Sequence, residues 1–177
     1  VASLSFFYPE FILSTTILVL IILDLLASRR RGLALIALVG CVASLIATLD
    51  LYSAQPGYLF HRMMILDNFS LFFKVIALAA AILCIWMSLS SNEIKQVHEG
   101  EYYTLLLTCT LGMFFMASSS NLLMAYLSLE LVSLTSYVLT GFLPHNRRSS
   151  EAALKYLIYG GVASGTTAWS IPSVNVD

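Results

Sequence analysis

Charge is what this sequence has least of. Only 11% of its 177 residues are charged and 59% are hydrophobic, where soluble domains carry about a quarter charged residues. The mean hydropathy is +0.86. A net charge of −1 leaves no basic footprint, which argues against nucleic acid as a partner. Cysteine is scarce too. Cys41, Cys84 and Cys109 fall singly within apolar runs, in no metal or redox spacing, and read as packing residues. The three histidines, His61, His98 and His145, all fall in predicted loops, so no helix carries a pair that would hold haem. Glu93, His98, Glu99 and Glu101 gather in one polar stretch but lack the helical two-ligand spacing of a metal centre. A solvated loop is expected there, and no metal or cofactor is assigned to the chain.

What the sequence has in abundance is apolar runs as long as a bilayer is thick, which takes about 20 residues. They predict an all-α, polytopic membrane protein of one domain spanning residues 1–177, with the lipid bilayer as its surroundings. About six transmembrane helices are expected, near residues 6–27, 32–52, 69–90, 102–118, 121–143 and 150–169. The first run is too long for a signal-peptide core and lacks a basic leader, so it reads as a retained helix. Pro9 and Glu10 suit its first turn, where a missing N–H is harmless and an acid meets the positive end of the dipole. The second run is rich in Ala, Gly and Ser, which allow close helix–helix approach. Pro56-Gly57 signals a turn between the second and third helices, and Tyr52, Tyr58 and Phe60 around it suit an interfacial aromatic belt. Ser119-Ser120-Asn121 is a very short turn that makes the fourth and fifth helices antiparallel neighbours. Ser149 and Ser150 are N-cap candidates for the sixth helix.

The few charges are informative by position. With alternating crossings, Arg29, Arg30, Arg31, Lys95, Arg147 and Arg148 fall on one side and only Arg62 on the other. The positive-inside rule places the first group in the cytoplasm (or matrix) and the N-terminus outside. Asp24 lies near the arginine triplet, and pairing with it is preferred over a functional acid. Lys74 sits about one and a half turns into its helix, so its stem is expected to snorkel to the boundary, with a place in a proton path as the less favoured reading.

Glu130 is different. It lies about ten residues into the fifth apolar run, near mid-depth at about 1.5 Å rise per residue. A charge there costs on the order of 2.5–3.5 kcal/mol and usually faces a partner or a water-filled path. Tyr126, Ser133 and Tyr137 stand at −4, +3 and +7, so they share its face. A functional carboxylate is favoured over a protonated glutamate that merely hydrogen-bonds a neighbouring helix. Glu151 and Lys155 are spaced i, i+4 in the favourable order. That spacing fits an ordinary helix-end pair and a proton-holding pair equally well.

Three segments carry a family resemblance. They are Asp67-Asn68-Phe69-Ser70-Leu71-Phe72-Phe73-Lys74, the stretch Tyr126 to Leu134 around Glu130, and Arg147-Arg148-Ser149-Ser150-Glu151-Ala152-Ala153-Leu154-Lys155-Tyr156 followed by Gly160 to Gly165. Together they resemble the N-terminal part of subunit N (subunit 2) of respiratory complex I, the proton-pumping NADH:quinone oxidoreductase, over about residues 5–165. The resemblance implies an antiporter-like helical bundle in the membrane arm, in a prokaryotic plasma membrane or a mitochondrial inner membrane. Its partners would be other membrane-arm subunits. NADH, flavin, iron–sulfur clusters and quinone would belong to partner subunits and none to this chain. It also implies that Glu130 is a key charge of the proton path, with Glu151 and Lys155 a charged pair after it. The rival readings are a subunit of a cation/proton antiporter without redox partners, and a structural membrane anchor.

The chain departs from the family at residues 170–177, an atypical polar tail where more apolar residues are expected. It also stops before the helices that bear the family's central lysines. The expectation is that the fragment by itself does not pump.

Overall fold

The computed structural model describes residues 7–26, 32–53, 57–59, 63–89, 99–143 and 146–170. Six long α-helices stand among them: α1 (Tyr8–Leu26), α2 (Leu33–Asp50), α3 (Asn68–Leu89), α4 (Glu99–Ser118), α5 (Leu122–Thr140) and α6 (Arg147–Ser170). Four of them, α1, α2 with its 3-10 extension to Ser53, α3 and α5, are long and apolar enough to cross a membrane by length and composition alone. The protein is an all-α membrane bundle.

α1 to α4 form the core. Leu13 and Leu20 of α1, Ala37 and Cys41 of α2, Leu78 and Ile85 of α3, and Leu107 and Phe114 of α4 are packed together and buried. The small residues of α2 act as the sequence suggests: a Cβ at Gly40 would collide with the Thr16 side chain of α1, so that crossing depends on a bare backbone. A Cβ at Gly112 of α4 would likewise crowd Val132 of α5, at 2.8 Å. Polar side chains inside the spans spend their hydroxyls on the preceding turn, as Thr48 does on the Ser44 carbonyl and Ser128 on the Met124 carbonyl, each at 2.7 Å. Such back-bonding satisfies a hydroxyl where no water is at hand.

One element is a surprise. A two-stranded antiparallel hairpin, β1 (Gly57–Leu59) and β2 (Met64–Leu66), joins α2 to α3, with Tyr58 opposite Ile65. It reaches the α4–α5 turn through a bridge between Met64 and Ser119 and a bond from the Ser120 N–H to the Met63 carbonyl, 2.9 Å. Beneath it, Leu51, Met64, Leu66 and Leu71 make a second, smaller apolar cluster with Phe7, Phe115 and Met124 packed on it.

Helix ends follow local chemistry. Asp67 caps α3, its Oδ1 accepting from the Ser70 N–H at 2.7 Å while Ser70 Oγ accepts from the Asp67 N–H at 3.2 Å, a reciprocal box. Asn121 Oδ1 caps α5 by accepting from the Leu123 N–H at 3.1 Å. α6 begins at Arg147, not after the serines. Asn146 Oδ1 accepts from the Arg148 N–H at 3.1 Å, and Ser149 Oγ instead donates to the Thr140 carbonyl at 2.8 Å. An asparagine upstream outcompeted the two serines for the cap. α4 takes Glu99 and Glu101 into its first turn, so the end of the expected polar loop is helical. Arg29, Arg30, Arg31, Arg62 and Lys95, on which the predicted sidedness rests, lie outside the described residues, as do Phe60, Glu93 and all three histidines.

Candidate functional site

Glu130 sits half-buried in the middle of α5. Tyr126, half-buried as well, stands one turn before it on the same helix. The helix presents its other side to α4, since Leu131 and Val132 meet Gly112. Ser133 is half-buried one turn on, and Tyr137 is buried two turns on.

Tyr137 is where α5 meets α6. Its hydroxyl rests over Gly160, where a Cβ would strike it, and its ring meets that of Tyr156 edge-on at 4.7 Å between centroids. Beside them the Ser136 hydroxyl donates to the Ser133 carbonyl at 2.8 Å and lies 3.3 Å from the Tyr156 hydroxyl. Ser136, Tyr137 and Tyr156 thus gather at the α5–α6 contact.

Glu151 and Lys155 form an ion pair of 2.7 Å on α6. The pair is open, with 60% and 66% of the two side chains exposed, and no residue of α6 is buried. An exposed i, i+4 pair is worth only about 0.3–0.5 kcal/mol, so it does not hold the helix in place. Because α6 runs back along α5 with Tyr137 level with Tyr156 and Gly160, Lys155 lies about 12–18 Å along the axis from Glu130, at about 1.5 Å per residue. No hydrogen bond or ion pair joins Glu130 to Glu151 or Lys155 among the described residues. The hydroxyls of the α5–α6 contact occupy the interval between them.

Lys74 does not snorkel. It is 1% exposed, its ammonium 2.5 Å from Glu10 Oε1 and 5.7 Å from the centre of the Phe114 ring. Glu10 is equally buried and its other oxygen, Oε2, has no hydrogen-bond partner among the described residues. The dipole of α1 alone does not explain this acid; a lysine 64 residues away does. A signal for it was present. α1 and α3 run in the same direction, so an acid in the first turn of one and a lysine in the second turn of the other lie at similar depth. Helical side chains also lean toward the N-terminus. Asp24 lies against Gly100 at the start of α4, its Oδ1 buried without a hydrogen-bond partner among the described residues; the arginines it was expected to pair with lie outside them.

Comparison with known proteins gives one consistent answer. The family described as NADH:quinone oxidoreductase/Mrp antiporter, TM, matches residues 119–173. NADH-quinone oxidoreductase subunit N of Chlorobium chlorochromatii is 42% identical over 168 residues, covering 93% of this chain and 33% of that protein. Subunit N of Anaeromyxobacter sp. is 43% identical over 162 residues, 90% of this chain and 31% of that one. Among solved structures, a chain of respiratory complex I from Thermus thermophilus with bound aureothin superposes with a TM-score of 0.75 at 27% identity, covering 89% of this chain and 34% of the other. The chain therefore spans about a third of the length of the relatives it matches. Identity near 42%, sustained over about nine-tenths of the sequence and accompanied by a shared fold, makes this chain similar to about a third of an NADH-quinone oxidoreductase subunit N.

Proposed function

We propose that the chain forms part of a membrane-arm subunit of a proton-translocating NADH:quinone oxidoreductase, in which Glu130 takes up and releases the transported proton. The observation that carries the reading is a half-buried carboxylate in the middle of an apolar span, with a tyrosine one turn before it and the hydroxyls of Ser136 and Tyr156 farther along the same helix contact. A carboxylate at that depth changes its proton affinity when a neighbouring charge arrives or leaves, since an opposite charge within about 4–6 Å favours ionisation and desolvation opposes it. Ser133, Ser136, Tyr137 and Tyr156 offer donors and acceptors on the way to Lys155, and Glu151 holds that ammonium until a proton is passed on.

No electron moves in this chain. NADH, flavin, iron–sulfur clusters and quinone belong to partner subunits, and the other membrane-arm subunits flank this one in a bacterial plasma membrane. The family description also names the Mrp antiporter, but the two relatives named above are both NADH-quinone oxidoreductase subunits.

The test is Glu130→Gln in the full-length subunit within the assembled complex. Gln matches glutamic acid in size and hydrogen bonding but does not titrate. The complex is expected to assemble, with quinone reduction and coupled proton uptake falling by about tenfold or more. Parental rates in both would reduce Glu130 to scaffolding. Recovery of part of the activity in Glu130→Asp, which keeps the charge one methylene back, is expected.

A further inference from the structure

Two ionisable groups that this proton path does not use are buried at the hairpin end of the bundle. Glu10 of α1 and Lys74 of α3 are each 1% exposed and meet at 2.5 Å. α2 contributes Ser44, whose hydroxyl donates to the Pro9 carbonyl at 3.1 Å beside the acid, and α4 contributes the Phe114 ring facing the ammonium. No other charged side chain is buried among the described residues.

As glue, such a pair is a poor choice. Apolar residues of the same volume would join α1 to α3 without stripping water from two charges, and replacing buried ion pairs in that way is often neutral or stabilising. Nor is the pair fully satisfied. Glu10 Oε2 is buried without a partner among the described residues, and an ammonium has three donors, of which one is used on Oε1. A buried polar group left incomplete calls for an explanation beyond packing. The site is also covered. Leu71, one turn before Lys74, belongs with Met64, Leu66 and Phe115 to the apolar cluster under the hairpin, so a plug of side chains lies between the pair and that end of the protein.

We propose that Glu10 and Lys74 form a second proton-exchanging site, distinct from Glu130, on the inner side of the hairpin plug; the role rests on reading the chain as part of a proton-translocating subunit. A proton added at Oε2 turns the carboxylate into a carboxylic acid. The ammonium then releases a proton to water and becomes a neutral amine. Passage of the carboxyl proton to Nζ restores carboxylate and ammonium. One proton has entered and one has left, and the pair is as it began.

Lys74→Arg in the full-length subunit of the assembled complex separates exchange from glue. A guanidinium keeps the charge and can meet both carboxylate oxygens, but it does not release a proton. The complex, reconstituted in vesicles, is expected to assemble while its proton-to-electron ratio falls and its proton uptake slows by roughly tenfold. The double variant Glu10→Gln with Lys74→Met, which leaves no lone charge, is expected to behave alike and guards against a guanidinium too large for the site. Parental pumping in either variant overturns the proposal, and failure of both to assemble makes the pair structural and overturns it equally. Glu130→Gln run alongside distinguishes the two readings. Impaired pumping there with normal pumping in Lys74→Arg removes this inference alone, whereas normal pumping in Glu130→Gln removes the proposed function.

Discussion

Removing Lys74 alone is expected to be far worse than removing Lys74 and Glu10 together. At an effective dielectric constant of about 20, unit charges at the observed 2.5 Å attract by about 6–7 kcal/mol. Burying the two ions costs several kcal/mol each, so the intact pair comes close to balance. Lys74→Met deletes the attraction and leaves the Glu10 carboxylate buried, 1% exposed and with neither oxygen partnered among the described residues. A broken buried pair typically costs 3–5 kcal/mol, a factor of roughly 10² to 10⁴ in the folding equilibrium. Glu10→Gln added to Lys74→Met removes the stranded charge, and the double variant should return to within about 1–2 kcal/mol of the parent. The assay is a double-mutant cycle on the chain in mixed detergent micelles, following loss of helix with increasing denaturing detergent. Additive effects of the two substitutions, or a Lys74→Met variant as stable as the parent, would refute the claim that these groups are buried against each other.

Two further outcomes follow from geometry already described. Gly40→Leu should destabilise the bundle by about 1–3 kcal/mol, read by the same unfolding assay, because its side chain must displace Thr16 of α1; an unchanged midpoint would mean that α1 and α2 do not cross there. Lys155→Met in the full-length parent should leave assembly intact, since the ion pair it breaks is open to solvent, yet slow proton uptake measured in membrane vesicles. Parental rate and stoichiometry would return the pair to ordinary helix-end electrostatics.

Four of the helices were legible because their apolar runs are about as long as a membrane is thick, and that signal is independent of what packs on what. Close approach at Gly40 was legible for a similar reason: small residues on a long apolar helix have few other uses. Glu130 stood out because nothing apolar explains a carboxylate at mid-depth. Lys74 was misread because a lysine six residues into a helix can reach the boundary or turn inward, and only the rotation of α3 about its axis decides. That rotation is set by contacts with α2 and α4, which no local pattern records. The hairpin escaped notice since strands of three residues have no period to detect, and Pro56-Gly57 announced only a turn. The start of α6 moved because Asn146, following Pro144-His145, was passed over in favour of two serines with equally good side chains.

The hairpin also works as a mechanical anchor. Through Met64, Ser119 and Ser120 it grips the chain immediately before α5, and Gly112 of α4 holds the rod again at Leu131 and Val132. Any tilt of the rest of that rod pivots at the second hold, and displacement grows with distance from it. Glu130 stands about 12 Å along the rod and Thr140 about 27 Å, at about 1.5 Å per residue. A swing that carries the far end, and α6 with it, leaves Glu130, next to Leu131, nearly in place. The carboxylate therefore sits near the fulcrum while the Glu151–Lys155 pair rides on the free arm, so the spacing between the two charges is the quantity that such a lever would vary.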